Sequence, residues 1–124
     1  MRLHTGFITD KLEESKEFYV GNFGFEVQFE SDWFVLLKVG NSELAFMVPN
    51  HPSQRPVFQS QFNGKGAWVT LEVEDVDAEF ERVKQLGIPI EIELRDEEWG
   101  DRHFAVVDPN GIGVDVITFS QPTD

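Results

Sequence analysis

Residues 10–25, DKLEESKEFYVGNFGF, carry the pattern on which the prediction of the fold depends. Asp10 is placed where its carboxylate could cap a helix over residues 11–22, and Gly24 follows where a helix would end in a left-handed conformation. The segment has charged residues on one helical face and a less polar face formed by Leu12, Ser15, Phe18 and Tyr19. We therefore predict an amphipathic helix that ends at a glycine.

The same signal occurs again about half the chain length later. Residues 75–88, DVDAEFERVKQLGI, begin with Asp75 as a candidate cap and reach Gly87 as a candidate stop. The predicted helix, residues 76–86, has an apolar face formed by Val76, Phe80, Val83 and Leu86. Two matching helices at this separation predict an internal repeat.

Strand-like segments flank both helices in the same order. One precedes each helix and three follow it, at residues 3–9, 25–30, 33–39 and 43–48, and again at 67–73, 90–94, 103–107 and 113–118. The predicted fold class is α+β, with two βαβββ modules in a single domain over residues 1–124. The first module covers residues 1–50, a linker or flap covers 51–66, the second module covers 67–120, and residues 121–124 form a frayed tail.

Each module is expected to form a half-shell, with its helix on one face of the sheet and a concave second face. Two half-shells, paired within one chain or exchanged between chains, would form a half-open barrel around a cavity. Because side chains alternate along a strand, the apolar faces suit helix packing and the mixed faces suit the cavity. The mixed faces carry His4, Glu43, Trp68 and Asp115, which come from the first and last strands of the two modules.

Composition narrows the classes of partner. The net charge is −13, which disfavours nucleic acid and anionic membranes and leaves open either a cationic ligand or an acidic surface that serves solubility alone. The chain has no cysteine, which excludes a disulfide framework, a thiolate metal site and a cysteine nucleophile. No segment has the ~20 apolar residues of a membrane span, and the N-terminal residues do not form a signal peptide. A cytoplasmic location is expected.

Two further stretches complete a family resemblance. WGDRHF at residues 99–104 precedes VDPNG at residues 107–111, and both follow the first-helix stretch ending in FGF at residues 23–25. In this order the motifs resemble the vicinal-oxygen-chelate superfamily, also called the glyoxalase/bleomycin-resistance/dioxygenase superfamily. The resemblance covers nearly the whole chain and implies paired βαβββ modules and a homodimer, which could be swapped.

The resemblance also implies positions for a metal. Metal-dependent members hold a divalent ion with His, Glu or Gln at places that correspond here to His4, Glu43, Trp68 and Asp115. Trp68 cannot bind a metal because its indole nitrogen only donates, and Asp115 is shorter than the usual glutamate. Two alternatives follow: a protein without a cofactor, or one that binds Zn, Ni, Mn or Fe through His4, Glu43 and Asp115.

Drug-binding members of the superfamily work without a metal and use aromatic side chains in a groove. On this resemblance, the candidate ligand-binding residues are Trp33, Trp68, Trp99, Arg102 and His103. The leading hypothesis is therefore a small-molecule-binding protein of the bleomycin-resistance type, which would sequester a cationic or aromatic compound and confer antibiotic resistance. The alternatives are a divalent-metal-dependent lyase, isomerase or dioxygenase, and an interaction module with a vestigial cavity. No catalytic residue is assigned.

Overall fold

A computed structural model describes residues 1–119, and both predicted modules are present in it. In the first half, the elements are β1 (Thr5–Ile8), α1 (Leu12–Phe23), β2 (Glu26–Glu30), β3 (Phe34–Val39) and β4 (Ser42–Met47). In the second half they are β5 (Trp68–Glu72), α2 (Val76–Gln85), β6 (Ile92–Asp96), β7 (Asp101–Val107) and β8 (Gly113–Phe119). The predicted α+β class and the repeated βαβββ order are confirmed. The predicted tail, and the last residue of the predicted second module, lie outside the described residues.

The first sheet has the strand order β1-β4-β3-β2. Strand β1 is parallel to β4, and the other pairs are antiparallel. Helix α1 covers one face, where the buried ring of Tyr19 stacks on Phe46 with 5.6 Å between centroids. Other buried members of this core are Phe25, Val35, Leu37 and Leu44. These residues alternate along their strands as predicted, so the helix side of the sheet is apolar.

The second sheet repeats this topology, with the order β5-β8-β7-β6 and β5 parallel to β8. Helix α2 covers one face, and Phe80 packs edge-on against Phe104 at 5.2 Å. Fully buried residues in this half include Phe104, Val83, Val106, Ile112, Val114 and Val116. Both sheets are open, and neither closes on itself to form a barrel.

The chain forms two compact units, Met1–Gly64 and a second that begins at Lys65. Most of the segment that follows β4 therefore belongs to the first unit. It contains a short 3₁₀ helix, Pro56–Phe58. The backbone N–H of Phe62 donates to the carbonyl of Ile8 at 2.8 Å, and the Phe62 ring packs edge-on against Phe7. Within the stretch predicted as a linker, Phe62 is therefore packed against β1.

The ends of the helices match the predictions in part. Asp75 caps α2, since its Oδ1 accepts a hydrogen bond from the backbone N–H of Ala78. The glycine stops are confirmed by positive φ angles of 73° at Gly24 and 82° at Gly87. The cap predicted at Asp10 is wrong: α1 begins after Lys11, whose backbone N–H is taken by the Thr9 hydroxyl. Leu86 is also exposed rather than buried, because α2 ends just before it.

Neither described helix has the length and apolar character needed to cross a lipid bilayer.

Candidate ligand-binding site

The first unit contains an apolar pocket of about 350 Å³ on the sheet face opposite α1. Strands β1, β3 and β4 form its floor, and the 3₁₀ helix forms a wall through Val57 and Phe58, which are themselves exposed. The full lining is Gly6, Phe7, Ile8, Phe34, Ala45, Phe46, Met47, Val57 and Phe58. A volume of this size lies at the lower end of the range for small-molecule sites.

On the same sheet face lies a cluster around Glu43, one of the predicted metal ligands. Its side chain is only 2% exposed and accepts a hydrogen bond from the guanidinium of Arg2. The Nε2 atom of His4 lies 3.4 Å from Oε1 of Glu43, so the structure brings these two predicted residues together. The hydrogen bond from Arg2 holds the pKa of Glu43 below its usual range, against the opposing effect of burial.

In the second unit, His103 lies between two carboxylates. Its Nδ1 is 2.6 Å from Oδ1 of Asp115, and its Nε2 is 2.7 Å from Oε2 of Glu97. Arg95 donates to the same oxygen of Glu97 at 2.6 Å. Burial disfavours the charged imidazolium, but the hydrogen bonds to Asp115 and Glu97 outweigh burial and raise the pKa of His103. The pKa of Glu97 is lowered by the hydrogen bonds from His103 and Arg95.

Trp68 shares this sheet face and is 72% exposed. Its indole N–H donates to the hydroxyl of Thr70 at 3.0 Å, and Thr70 pairs in register with Asp115. The hydrogen bond anchors one edge of the indole, while most of its surface is open to solvent. This exposed ring can stack on a flat ligand or receive a cation on its face.

The other predicted ligand residues are spread more widely. Trp99 is 70% exposed, and its indole N–H donates to Oδ2 of Asp101 at 2.9 Å. Trp33 is half-buried and stacks on His51 with 3.8 Å between ring centroids, so one face of this indole is already covered.

Arg102 is not brought together with His103, because adjacent strand residues point to opposite faces. Its guanidinium instead pairs with Asp77 at the start of α2, at 2.7 Å, and with Asp96, at 3.2 Å. The positive charge of Arg102, which the sequence suggested for ligand binding, is therefore already paired with two carboxylates.

The residues present do not fit a divalent metal. Among residues 1–119, no group of three or more His, Cys, Asp or Glu side chains is arranged to hold an ion. Oε1 of Glu43 faces the guanidinium of Arg2, Asp115 pairs with His103, and position 68 carries an indole that cannot coordinate.

The sequence analysis did not predict that Arg2 pairs with Glu43 or that Glu97 pairs with His103. Arg2 precedes His4 by two residues, so strand alternation could have placed both on one face. Glu97 lies in a charged run that reads as a solvated turn, and its contact with His103 depends on how β6 and β7 pair. Val57 and Phe58, which form the pocket wall, lie in a stretch without helix or strand periodicity, so the sequence did not predict their role.

Comparison with known proteins identifies the family to which this chain belongs. Residues 2–116 match the Glyoxalase/Bleomycin resistance protein/Dioxygenase superfamily, and the chain is a member of that family. It is 28% identical over 119 residues to a bleomycin resistance protein of Geobacillus stearothermophilus, covering 89% of this chain and 88% of that protein. It spans less than half the length of an uncharacterized Mycobacterium bovis protein, which it matches over 64 residues with 34% identity.

Two solved structures have a similar fold. A lactoylglutathione lyase from Agrobacterium tumefaciens superposes with a TM-score of 0.79 and 24% identity, over 95% of this chain and 93% of that one. TnmS3, an antibiotic binding protein from Streptomyces sp. CB03234, gives a TM-score of 0.75 and 20% identity, over 97% of both chains. One is an enzyme and the other a binding protein, so the shared fold alone does not separate the two classes.

Proposed function

We propose that this protein binds a small aromatic or cationic molecule and sequesters it without changing it chemically. The observation that carries the proposal is the composition of the pocket in the first unit. Every residue of its lining is glycine or apolar. On the face opposite α1 these are Gly6, Ile8, Phe34, Ala45, Met47, Val57 and Phe58, while Phe7 and Phe46 belong to the sheet floor and have their rings on the α1 side. Such a lining can bury the apolar part of a ligand, but it offers no general acid, general base or nucleophile for a reaction.

Charge and relatives support the same function. A net charge of −13 attracts cations and raises their rate of association. The bleomycin resistance protein is similar over most of both chains, and TnmS3, which has a similar fold, is an antibiotic binding protein. We therefore propose that the ligand is an antibiotic-like compound with a flat aromatic group and a positive charge, and that binding gives resistance to it.

Metal-dependent catalysis is the less favoured alternative. It would require Glu43 to exchange the Arg2 guanidinium for a metal ion and Asp115 to leave His103. We further propose that the protein acts as a homodimer, as its family resemblance implies, which light scattering on the purified protein would test.

Binding of metal-free bleomycin, measured by calorimetry, tests the function directly. The pocket-filling variant Ala45→Phe is expected to weaken binding at least tenfold, because the new ring projects from β4 into the pocket. Leu86→Ala, which removes an exposed apolar side chain outside the pocket, is the control and should bind like wild type. Denaturation curves of both variants would establish that they are folded.

Elemental analysis of protein purified without chelator separates the two classes. The proposal expects far less than one equivalent of Zn, Ni, Mn or Fe. A tightly held stoichiometric metal, together with no binding of bleomycin or other cationic aromatic compounds, would contradict it.

A further inference from the structure

Gly6 lies inside strand β1, at a position where neither backbone conformation nor packing requires a glycine. Its φ angle is not positive, unlike those of the glycines at turns and helix ends. A β-carbon added at Gly6 would have its nearest atoms outside the adjacent residues in Ala45, at 3.5 Å, which is ordinary van der Waals contact. The fold would therefore admit an alanine here. A glycine inside a strand lowers stability, because it loses more conformational freedom on folding.

The missing side chain of Gly6 deepens the apolar pocket of the first unit. Gly6 pairs with Ala45 in the register of β1 and β4, and both residues line the pocket. The next pair on the same sheet face is Ile8 with Met47, two large side chains. The floor is therefore lowest at the Gly6–Ala45 pair, where a single methyl group projects from the backbone. Glycine inside a strand often marks a place where a ligand approaches the backbone closely.

The wall of this pocket has apolar surface that a ligand can cover. Val57 and Phe58 line the pocket and are 76% and 53% exposed. Covering such side chains with a ligand removes apolar surface from water and so favours binding. A floor without projecting side chains is nearly planar, so a flat ring system contacts it with a whole face. A rounded group of similar volume touches the same floor with only a few atoms and gains less dispersion energy.

We propose that Gly6 determines the shape of the ligand that this protein accepts. Because Gly6 has no side chain, a flat ring system lies directly on the backbone of β1 and β4, and Val57 and Phe58 pack against the part of the ring that faces the wall. All of these residues belong to the first compact unit. This inference rests on the proposed function and specifies the ligand class: a planar polycyclic cation, as opposed to a cage-like or branched one.

The test uses two cations that differ in shape. Proflavine is a flat tricyclic cation at neutral pH, and amantadine is a rounded cage with the same charge. Calorimetry measures both affinities, and NMR of isotope-labelled methionine methyl groups locates the site. The chain has two methionines, of which Met47 lines the pocket and Met1 is fully exposed. We expect proflavine to shift the Met47 signal, assigned through Met47→Leu, and to bind at least about tenfold more tightly than amantadine.

Gly6→Ala adds one methyl group to the floor of the pocket. It is expected to weaken proflavine binding at least about fivefold and to change amantadine binding by less than about twofold, because only the flat ring needs the bare backbone. The melting temperature should stay the same or rise. Gly6→Val should weaken proflavine binding further. The control, Gly21→Ala, adds the same methyl group on the exposed side of α1, where nothing lies within 4 Å of the added carbon, and should bind both compounds like wild type.

The outcomes distinguish this inference from the proposed function. If Gly6→Ala lowers the melting temperature and weakens both compounds alike, the glycine serves the fold and the inference is wrong. It is also wrong if proflavine binds without shifting the Met47 signal, if Gly6→Ala leaves its affinity unchanged, or if wild type binds amantadine equally well or does not bind proflavine. In each of these cases the proposed function stands when bleomycin binds and Ala45→Phe weakens that binding. If neither bleomycin nor proflavine binds, both are overturned.

Discussion

The Nδ1 atom of His103 lies 2.6 Å from Oδ1 of Asp115, and the second nitrogen of the same ring contacts Glu97. An imidazole can donate from both nitrogens only when it is protonated, so two carboxylate partners favour the charged ring. Sequence alternation placed Asp115 on this face, but it could not show that a histidine from the neighbouring strand holds it. This pairing explains why the pKa of His103 is raised despite burial.

The raised pKa predicts a loss of stability at alkaline pH. A group whose pKa is higher in the folded state stabilises the fold fully below its ordinary pKa and loses this contribution as pH rises through the folded value. The melting temperature of wild type should therefore exceed that of His103→Asn by more at about pH 6 than at about pH 9. Proton NMR of the ring should give a pKa above the ordinary value of 6.5. A midpoint below that value would contradict the pairing.

The ion pair between Arg2 and Glu43 predicts the opposite pH dependence. The pKa of Glu43 is lowered, so its contribution to stability is present above its ordinary value of 4.5 and is lost as pH falls through the folded value. Arg2→Ala should lower the melting temperature at neutral pH, and the difference from wild type should shrink in acid. Arg55→Ala removes the same charge from an exposed position and serves as the control. An equal effect of both substitutions at every pH would contradict the specific pairing.

The two helix starts show where sequence patterns succeed and where they stop. Both helices, their glycine stops and all eight strands follow from periodicity and turn residues, because these signals are local. The N-terminus of α1 was misread: an acidic residue precedes each helix, but only Asp75 reaches a backbone N–H at the third position. Helix α1 begins one residue later than predicted, and the hydroxyl of Thr9 accepts a hydrogen bond from the backbone N–H of Lys11. A one-residue shift of this kind depends on how β1 leads into the helix.

This difference gives a matched pair of substitutions. Asp75→Ala should cost about 1 kcal/mol of unfolding free energy, as the loss of an N-cap does. Asp10→Ala should stay within about 0.5 kcal/mol of wild type, because α1 has no side-chain cap at its start. Urea denaturation measures both. Equal costs at the two positions would mean that charge near the helix end, rather than the cap bond, sets the effect.

The candidate site was less accessible to prediction than the fold. Strand alternation correctly placed His4 with Glu43, but the roles of such residues depend on partners that are distant in sequence. Arg2 makes Glu43 an ion-pair acceptor, and Glu97 fixes His103 through the pairing of β6 with β7, which is irregular between Ile92 and Arg95. The irregular strand register and the pocket wall at Val57 and Phe58 both depend on tertiary packing. Local sequence patterns therefore do not predict them.

The exposed indole of Trp68 separates a role in binding from a role in stability. Because the ring is 72% exposed and its indole N–H donates to Thr70 on the same strand, Trp68→Ala should change the unfolding free energy by no more than about 0.5 kcal/mol. Phe104→Ala, in the fully buried core beneath α2, should cost about 3–5 kcal/mol in the same denaturation experiment. If Trp68 stacks on a cationic ligand, its removal should weaken bleomycin binding roughly 2- to 30-fold, since a cation–π contact contributes about 0.5–2 kcal/mol. Unchanged affinity with a large loss of stability would assign Trp68 to packing instead.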